Sequence, residues 1–204
     1  MYDYIIIGAG SAGCVLANRL SANPNHRVLL LEAGGRDRNP FIHMPAGLSR
    51  LMRHSGVNWG YYTEPQAELH DRRLYWPRGK VLGGSSSINA MCYIRGQAED
   101  YDQWAANGCE GWAYADLLPY FRKSENQQRG AGTYHGVGGP LSVSDLRYTN
   151  RLSEAFIRAA RQTGHPLNED FNGPRQHGFG LYQVTQKEGR RCSTATGYLD
   201  PVNE

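Results

Sequence analysis

With 204 residues the chain is long enough for one domain or one and a half, and a composition that is 40% hydrophobic and 20% charged excludes a disordered segment. The net charge of +3 comes from interspersed acids and bases, which excludes the basic stripe of a nucleic-acid binder. Twenty-five glycines, many in short motifs, point instead to close approach of backbone to a ligand.

Tyr4-Ile5-Ile6-Ile7 is a short aromatic and β-branched run that predicts a strand buried on both faces. Gly8-Ala9-Gly10-Ser11-Ala12-Gly13 follows, a G-x-G-x-x-G, and Cys14–Leu20 then carries apolar residues at helical spacing until Pro24 and Asn25. Arg27–Leu31 reads as a second buried strand with Glu32 at its end. Each part has a physical task. Gly8 permits the tight turn, Gly10 lets a pyrophosphate approach the backbone, and Gly13 lets helix and strand pack closely. The helix start offers free N–H groups and partial positive charge to phosphates. Glu32, 19 residues after Gly13, is placed to accept from ribose hydroxyls, and an acid there disfavours a 2′-phosphate. This motif alone leaves FAD and NAD both open.

Pro40–Leu51 is expected to be a loop or lid. A second glycine-rich segment lies within Tyr75–Gly96, where Gly83-Gly84-Ser85-Ser86-Ser87 joins bare backbone to hydroxyl groups. Val81, Leu82, Ile88, Ala90 and Met91 flank it and argue against free mobility. The three serines are expected to cap a helix starting near Ile88, and the segment to touch an extended ligand beyond the first cradle.

Further on, Ala98–Ala106 predicts a helix stopped by Asn107-Gly108. Tyr114–Ser124 predicts another, with Pro119 expected near a first turn or a kink. Arg129–Gly139 reads as a surface loop, Leu141–Ser144 as a strand and Asn150–Thr163 as an amphipathic helix ended by Gly164. Leu181–Gln186 alternates like a strand. The seven histidines (26, 43, 54, 70, 135, 165 and 177) show no metal spacing and no nearby Asp/Ser partner pattern, so each is assigned a surface role, with His43 the exception to watch. Cys14, Cys92, Cys109 and Cys192 form no CxxC pair and read as thiols in a reducing compartment, with no metal site. Tyr2–Ile7 is too short for a signal h-region or a membrane span.

From Gly79 to Asp102 the chain reads Gly-Lys-x-Leu-Gly-Gly-Ser-Ser-x-Ile-Asn, then Tyr93, Gly96 and Asp102. In this it resembles the glucose–methanol–choline oxidoreductases, FAD enzymes that oxidise alcohols. Glu32–Gly35, Asn58-Trp59 with Thr63–Gln66, Gly111-Trp112, Gly178–Gly180 and Arg191–Thr194 with Tyr198-Leu199 extend the likeness over the whole chain. Ile42–Pro45, Trp76–Lys80 and Tyr182–Lys187 bring it nearest to bacterial FAD-dependent aliphatic-alcohol dehydrogenases, with choline dehydrogenases next.

The resemblance implies an α/β fold: part of a Rossmann-like FAD-binding domain and the beginning of an α+β substrate domain. The implied division is 1–140 for the FAD domain, 141–190 for the substrate domain and 191–204 for a return toward the first. It implies that Gly8, Ala9, Gly10, Ser11, Ala12 and Gly13 hold the adenosine half with Glu32 and Ala33. Val81, Leu82, Gly83 and Gly84, and then Asn89, Ala90, Met91 and Cys92, are expected around the isoalloxazine, with Arg78 and Ser85 among the further cofactor contacts. Some relatives attach FAD through a His at the position of Ile88; Ile88 has no nucleophile, so the implied FAD is non-covalent. The implied substrate is a small primary alcohol oxidised to an aldehyde, and the implied acceptor a quinone. Location would be cytoplasmic or peripheral on the inner face of the cytoplasmic membrane. The family's catalytic His matches nothing here, so the chain is expected to be an N-terminal fragment, inactive alone. Rival readings are a hydroxynitrile lyase that keeps FAD structurally, a non-catalytic FAD-binding fragment, and an NAD-dependent dehydrogenase.

Overall fold

The structure, a computed structural model, describes residues 1–202. They form two compact units, one made of Met1–Met91 with the segment from Glu188 onward, the other of Cys92–Lys187. Segment 92–140 thus groups with 141–187, while the segment from residue 188 belongs to the first unit. The last two residues of the expected 191–204 segment lie outside the described residues.

The first unit opens with strand β1 (Tyr4–Ile7), helix α1 (Ser11–Ser21) and strand β2 (Val28–Leu31). β1 and β2 pair in parallel, Tyr4 opposite Val28 and Ile7 opposite Leu31. A helix between two parallel strands is the expected crossover unit. A Cβ on Gly13 would collide with the carbonyl of Gly8, so only glycine lets α1 lie this close to the strand end. Ile6, Cys14 and Ala17 pack with Ala195, Tyr198 and Leu199. Asn18 Nδ2 donates to Tyr198 O at 2.8 Å and fixes that return segment on α1. Burial also pushes the Cys14 thiol pKa up, keeping it a protonated, inert core group. The expectation of burial on both faces is corrected here: Ile6 is buried, whereas Ile5 and Ile7 are 61% and 87% exposed. Alternate residues of a strand face opposite ways, and α1 with the return segment covers the face of Ile6.

Pro40–Leu51 is not an irregular loop. It folds into two short helices, α2 (Pro40–His43) and α3 (Leu48–Leu51), joined by a 3-10 turn at Pro45–Gly47. Asn39 caps α2 by accepting from Phe41 N–H at 3.0 Å. Ile42 and Leu51 are wholly buried and pack with Val57, Val81 and Ile88. Strands β3 (Tyr61–Tyr62) and β4 (Tyr75–Trp76) pair antiparallel.

The second unit contains β5 (Cys92–Tyr93), α4 (Ala98–Ala106), α5 (Tyr114–Ser124), β6 (Glu125–Gln127), β7 (Leu141–Val143), α6 (Arg151–Gln162) and β8 (Gln183–Val184). β6 and β7 are parallel, β5 and β8 antiparallel. Gly108 ends α4 at φ +99°, and Asn150 caps α6 through Leu152 N–H at 2.9 Å. Pro119 stands inside α5 and not near its first turn. Among the described residues no helix is long and apolar enough to cross a membrane.

Candidate cofactor-binding site

A cleft of about 680 Å³ opens in the first unit at the C-terminal ends of β1 and β2. Ile7, Gly8, Gly10 and Ser11 form one wall, Leu31, Glu32 and Ala33 a second, and Trp59, Arg78, Gly79, Gly84 and Ser85 a third. Ligands of open α/β sheets bind outside the carboxyl ends of the strands, and this volume is in the range of a cofactor site.

The backbone explains why glycine stands where it does. Gly8 has φ +96°, a left-handed conformation, and its N–H donates to Leu31 O at 2.7 Å. A Cβ on Gly10 would meet nothing within 4 Å, so its bare Cα faces open cleft. Gly84 sits at φ +55°, and a Cβ there would come within 2.7 Å of the Gly10 Cα. The second glycine motif therefore abuts the first. Gly83 N–H donates to Ala9 O at 2.8 Å and locks the two motifs together.

Glu32 is both wall and brace. Its Oε2 accepts from Ala9 N–H and its Oε1 from Gly34 N–H, each at 2.8 Å. A carboxylate oxygen has two lone pairs, so each retains an acceptor position. α1 starts at Gly10 without a side-chain cap and without an acid in its first turn. Its opening N–H groups lack intrahelical partners and carry the helix's positive end to the cleft.

Of the residues expected to touch the cofactor, Gly8, Gly10, Ser11, Glu32, Ala33, Arg78, Gly84 and Ser85 line the cleft. Ala9 is buried beneath it, and Ala12 and Gly13 lie within α1. Val81 belongs to the core of the first unit, and Leu82 packs against its other cluster. Asn89, Ala90 and Met91 are outside the lining, and Cys92 opens the second unit. Trp59 and Gly79 were missed although both fell within family-like stretches. Trp59 stacks on Tyr61 at 5.8 Å and receives Lys80 Nζ over its ring at 4.4 Å.

The expected helix near Ile88 is absent. Gly84–Ser87 forms one 3-10 turn and Ile88 ends it. The serines turn backward instead of capping forward: Ser86 Oγ donates to Gly83 O at 2.6 Å and Ser87 Oγ to Leu82 O at 2.7 Å.

The surface role assigned to every histidine also fails at one position. His135, in the second unit, lies with Nδ1 3.1 Å from Glu125 Oε1 and Nε2 2.9 Å from Asp170 Oδ2. Glu125 is fully buried and pairs with Arg95 at 3.0 Å. Arg129–Gly139, read as a surface loop, folds inward here, with Gly136 N–H donating to Glu125 Oε2 at 2.9 Å. His43 bonds the carbonyl of Asp37 at 2.7 Å through Nε2. No histidine lines the cleft.

A family model described as GMC oxidoreductase matches residues 2–204. The chain belongs to the GMC oxidoreductases. It is 55% identical over 203 residues to alcohol dehydrogenase [acceptor] from Pseudomonas putida, covering 99% of this chain and 37% of that one. It is 54% identical over 208 residues to mitochondrial choline dehydrogenase from Mus musculus, with 98% and 35% covered. The structure matches pyridoxine 4-oxidase from Mesorbium loti with a TM-score of 0.92 at 38% identity, over 98% of this chain and 39% of that one. This GMC oxidoreductase chain thus spans about a third of the length of the curated relatives it matches. FAD is the cofactor. The residues present fit it, because the bare Gly10 Cα, the uncapped start of α1 and the acceptors of Glu32 converge on one cleft.

Proposed function

We propose that the full-length protein is an FAD-dependent dehydrogenase that oxidises primary aliphatic alcohols to aldehydes and passes the electrons to a quinone. The observation that carries the cofactor part is the cleft at the start of α1, where Gly10 faces open space and Gly84 closes against it. In this reading the α1 N–H groups and the Gly10 backbone hold the pyrophosphate, and Glu32 accepts from the ribose hydroxyls. Arg78, Gly84 and Ser85 continue the contact toward the loop that runs through Val81–Gly83 and Asn89–Cys92. When bound, FAD supplies the two-electron acceptor, and the protein supplies binding, orientation and electrostatics. It is held without a covalent bond, since Ile88 is apolar and packed in the core. In this reading, as the family likeness implies, the base that takes the alcohol proton comes from outside residues 1–204, and residues 1–204 alone are inactive. Residues 1–140 serve FAD, 141–190 begin the substrate domain, and 191–204 return to the first. In this reading the protein works in the cytoplasm, either free or peripheral on the inner face of the cytoplasmic membrane.

An alcohol substrate is supported by the relative named alcohol dehydrogenase [acceptor]; the aliphatic preference rests on the likeness of Ile42–Pro45, Trp76–Lys80 and Tyr182–Lys187 alone, and choline is the competing alcohol because a choline dehydrogenase is nearly as similar. The test is anaerobic addition of a straight-chain primary alcohol or of choline to the full-length protein. Bleaching of the visible flavin band by the alkanol and not by choline supports the proposal. Bleaching by choline alone overturns the substrate assignment, and bleaching by neither overturns the activity. Acid precipitation should release yellow colour into the supernatant; flavin kept in the washed pellet means a covalent link.

A further inference from the structure

Arg191 is a buried cation with no acid beside it. The residue is 2% exposed. Its Nε donates to Ile42 O at 2.7 Å, and Nη1 donates to Ser86 O at 3.1 Å and to Asn89 Oδ1 at 2.8 Å. Nη2 is itself buried and has no hydrogen-bond partner. Every acceptor is neutral, and among the described residues no carboxylate lies within ion-pair distance of this guanidinium. Burial alone pulls its pKa down to about 10, which still leaves it charged at neutral pH.

A buried, uncompensated charge costs stability, and a neutral donor would tie the same carbonyls together more cheaply. The second observation lies at Asn89. Its Oδ1 accepts twice, from Arg191 Nη1 and from Met91 N–H at 3.0 Å. Two donors on one atom settle which way the carboxamide points. The Asn89 side chain is exposed, so its NH2 group is presented outward as a donor.

We propose that Arg191 is a positioning residue of the FAD site, which locks Asn89 with its amide donors turned toward the flavin and places an unneutralised positive charge behind that contact. The inference rests on the FAD reading above. A fixed positive charge favours whichever state of the cofactor carries more negative charge, and in a site poor in water that field is weakly screened. Arg191 does not touch the reacting atoms; it acts through Asn89 and through its field.

The experiment uses the full-length protein and two variants, Arg191→Gln and Arg191→Lys, with two readouts: the flavin midpoint potential and the dissociation constant of sulfite, which adds to flavin as an anion. Arg191→Gln should retain FAD, bind sulfite roughly tenfold more weakly and lower the potential by about 30 mV, the value of one tenfold step for a two-electron couple. Arg191→Lys keeps the charge but loses the planar fork, so it should stay within about threefold of wild type for sulfite. A Gln variant with wild-type potential and sulfite affinity overturns the inference. So does a flavin-loaded Lys variant as weak as expected for Gln, and that arm decides the matter if Arg191→Gln fails to fold. Wild-type protein purified without flavin would instead overturn the FAD reading itself.

Discussion

The two units treat buried charge in opposite ways. In the second, Arg95, Glu125, His135 and Asp170 form a chain of partners within 3.1 Å of one another, with Gln127 Nε2 donating to Glu125 Oε1 at 3.1 Å as well. In the first, Arg191 is buried among neutral acceptors, α1 begins without a cap, and the Gly10 backbone faces open space. Charges paired with one another inside the chain define a fold, whereas a buried charge without a counter-charge and a bare helix start leave polar capacity open to a ligand. The difference separates residues whose loss should unfold the protein from residues whose loss should empty it.

The largest effect expected from breaking this contrast is at Glu125. Glu125→Gln leaves the Arg95 guanidinium buried without a counter-charge, and removing one partner of a buried pair costs about 3–5 kcal/mol. Chemical denaturation of the full-length protein should show that loss even with FAD in excess. A variant within about 0.5 kcal/mol of wild type, the range of an ordinary surface substitution, would mean that the cluster is not what holds the second unit.

The glycines sharpen the comparison within the first unit. Gly13→Ala drives a Cβ into the Gly8 carbonyl, backbone that cannot yield, so it should lower stability by about 1–3 kcal/mol as overpacking does. Gly10→Val places its side chain in open cleft, so the fold should tolerate it while flavin is lost from the purified protein. The readouts are the denaturation midpoint of the apoprotein and the flavin-to-protein absorbance ratio. Full flavin occupancy in Gly10→Val would show that the cradle has been assigned to the wrong cleft.

These glycines were legible because everything the cradle needs lies within residues 4–32: strand, turn, helix, strand and acid in order. The boundaries of α4 and α5 were legible for the same local reason, with Asn107-Gly108 stopping the first. What could not be read was made by partners far apart in the chain. Arg191 reaches Ile42 and Asn89 across 149 and 102 residues, and His135 meets Asp170 across 35. No periodicity records such pairs, so Arg191 stood in a family-like stretch without a role and His135 passed for a surface residue. The segment Pro40–Leu51 misled for another reason. Its helices are only one turn each, too short to establish a 3.6-residue pattern, and their burial is a tertiary fact carried by Ile42 and Leu51. The serines after Gly84 were read as forward caps, but positive φ at Gly83 and Gly84 turns the chain so that their hydroxyls meet carbonyls behind them.

Glu32 stands between the two classes, since it both braces the glycine turn and faces the cleft. Glu32→Gln keeps one oxygen acceptor but puts an amide opposite either Ala9 N–H or Gly34 N–H. FAD affinity should fall by about 1–2 kcal/mol, the worth of a charge-assisted hydrogen bond. Apoprotein stability should fall too, by about 1 kcal/mol for the lost backbone contact. Fluorescence titration of apoprotein with FAD separates the two. An unchanged dissociation constant with lowered stability would leave Glu32 as a brace alone.

The smallest expected effect concerns the surface of the second unit, and its sign follows from one carboxylate. Partial burial raises the Asp145 pKa, but hydrogen bonds from Arg129 and Gln183 outweigh it and the net shift is downward. Arg129 Nε lies 3.0 Å from Oδ1, and Gln183 Nε2 donates to the same oxygen at 2.8 Å. A carboxyl whose folded pKa is depressed contributes stability above its unfolded pKa, near 3.9, and loses it as pH falls through the folded value. The pair is about half exposed, so solvent screening holds its contribution to under about 1 kcal/mol. Asp145→Asn should therefore be slightly less stable than wild type at neutral pH and at low salt, and the two denaturation curves should converge as the solution is acidified. Added salt should narrow the neutral-pH gap, because exposed pairs are screened within a Debye length. A gap that widens in acid would mean that the protonated carboxyl, not the Arg129 ion pair, is the form this surface stabilises.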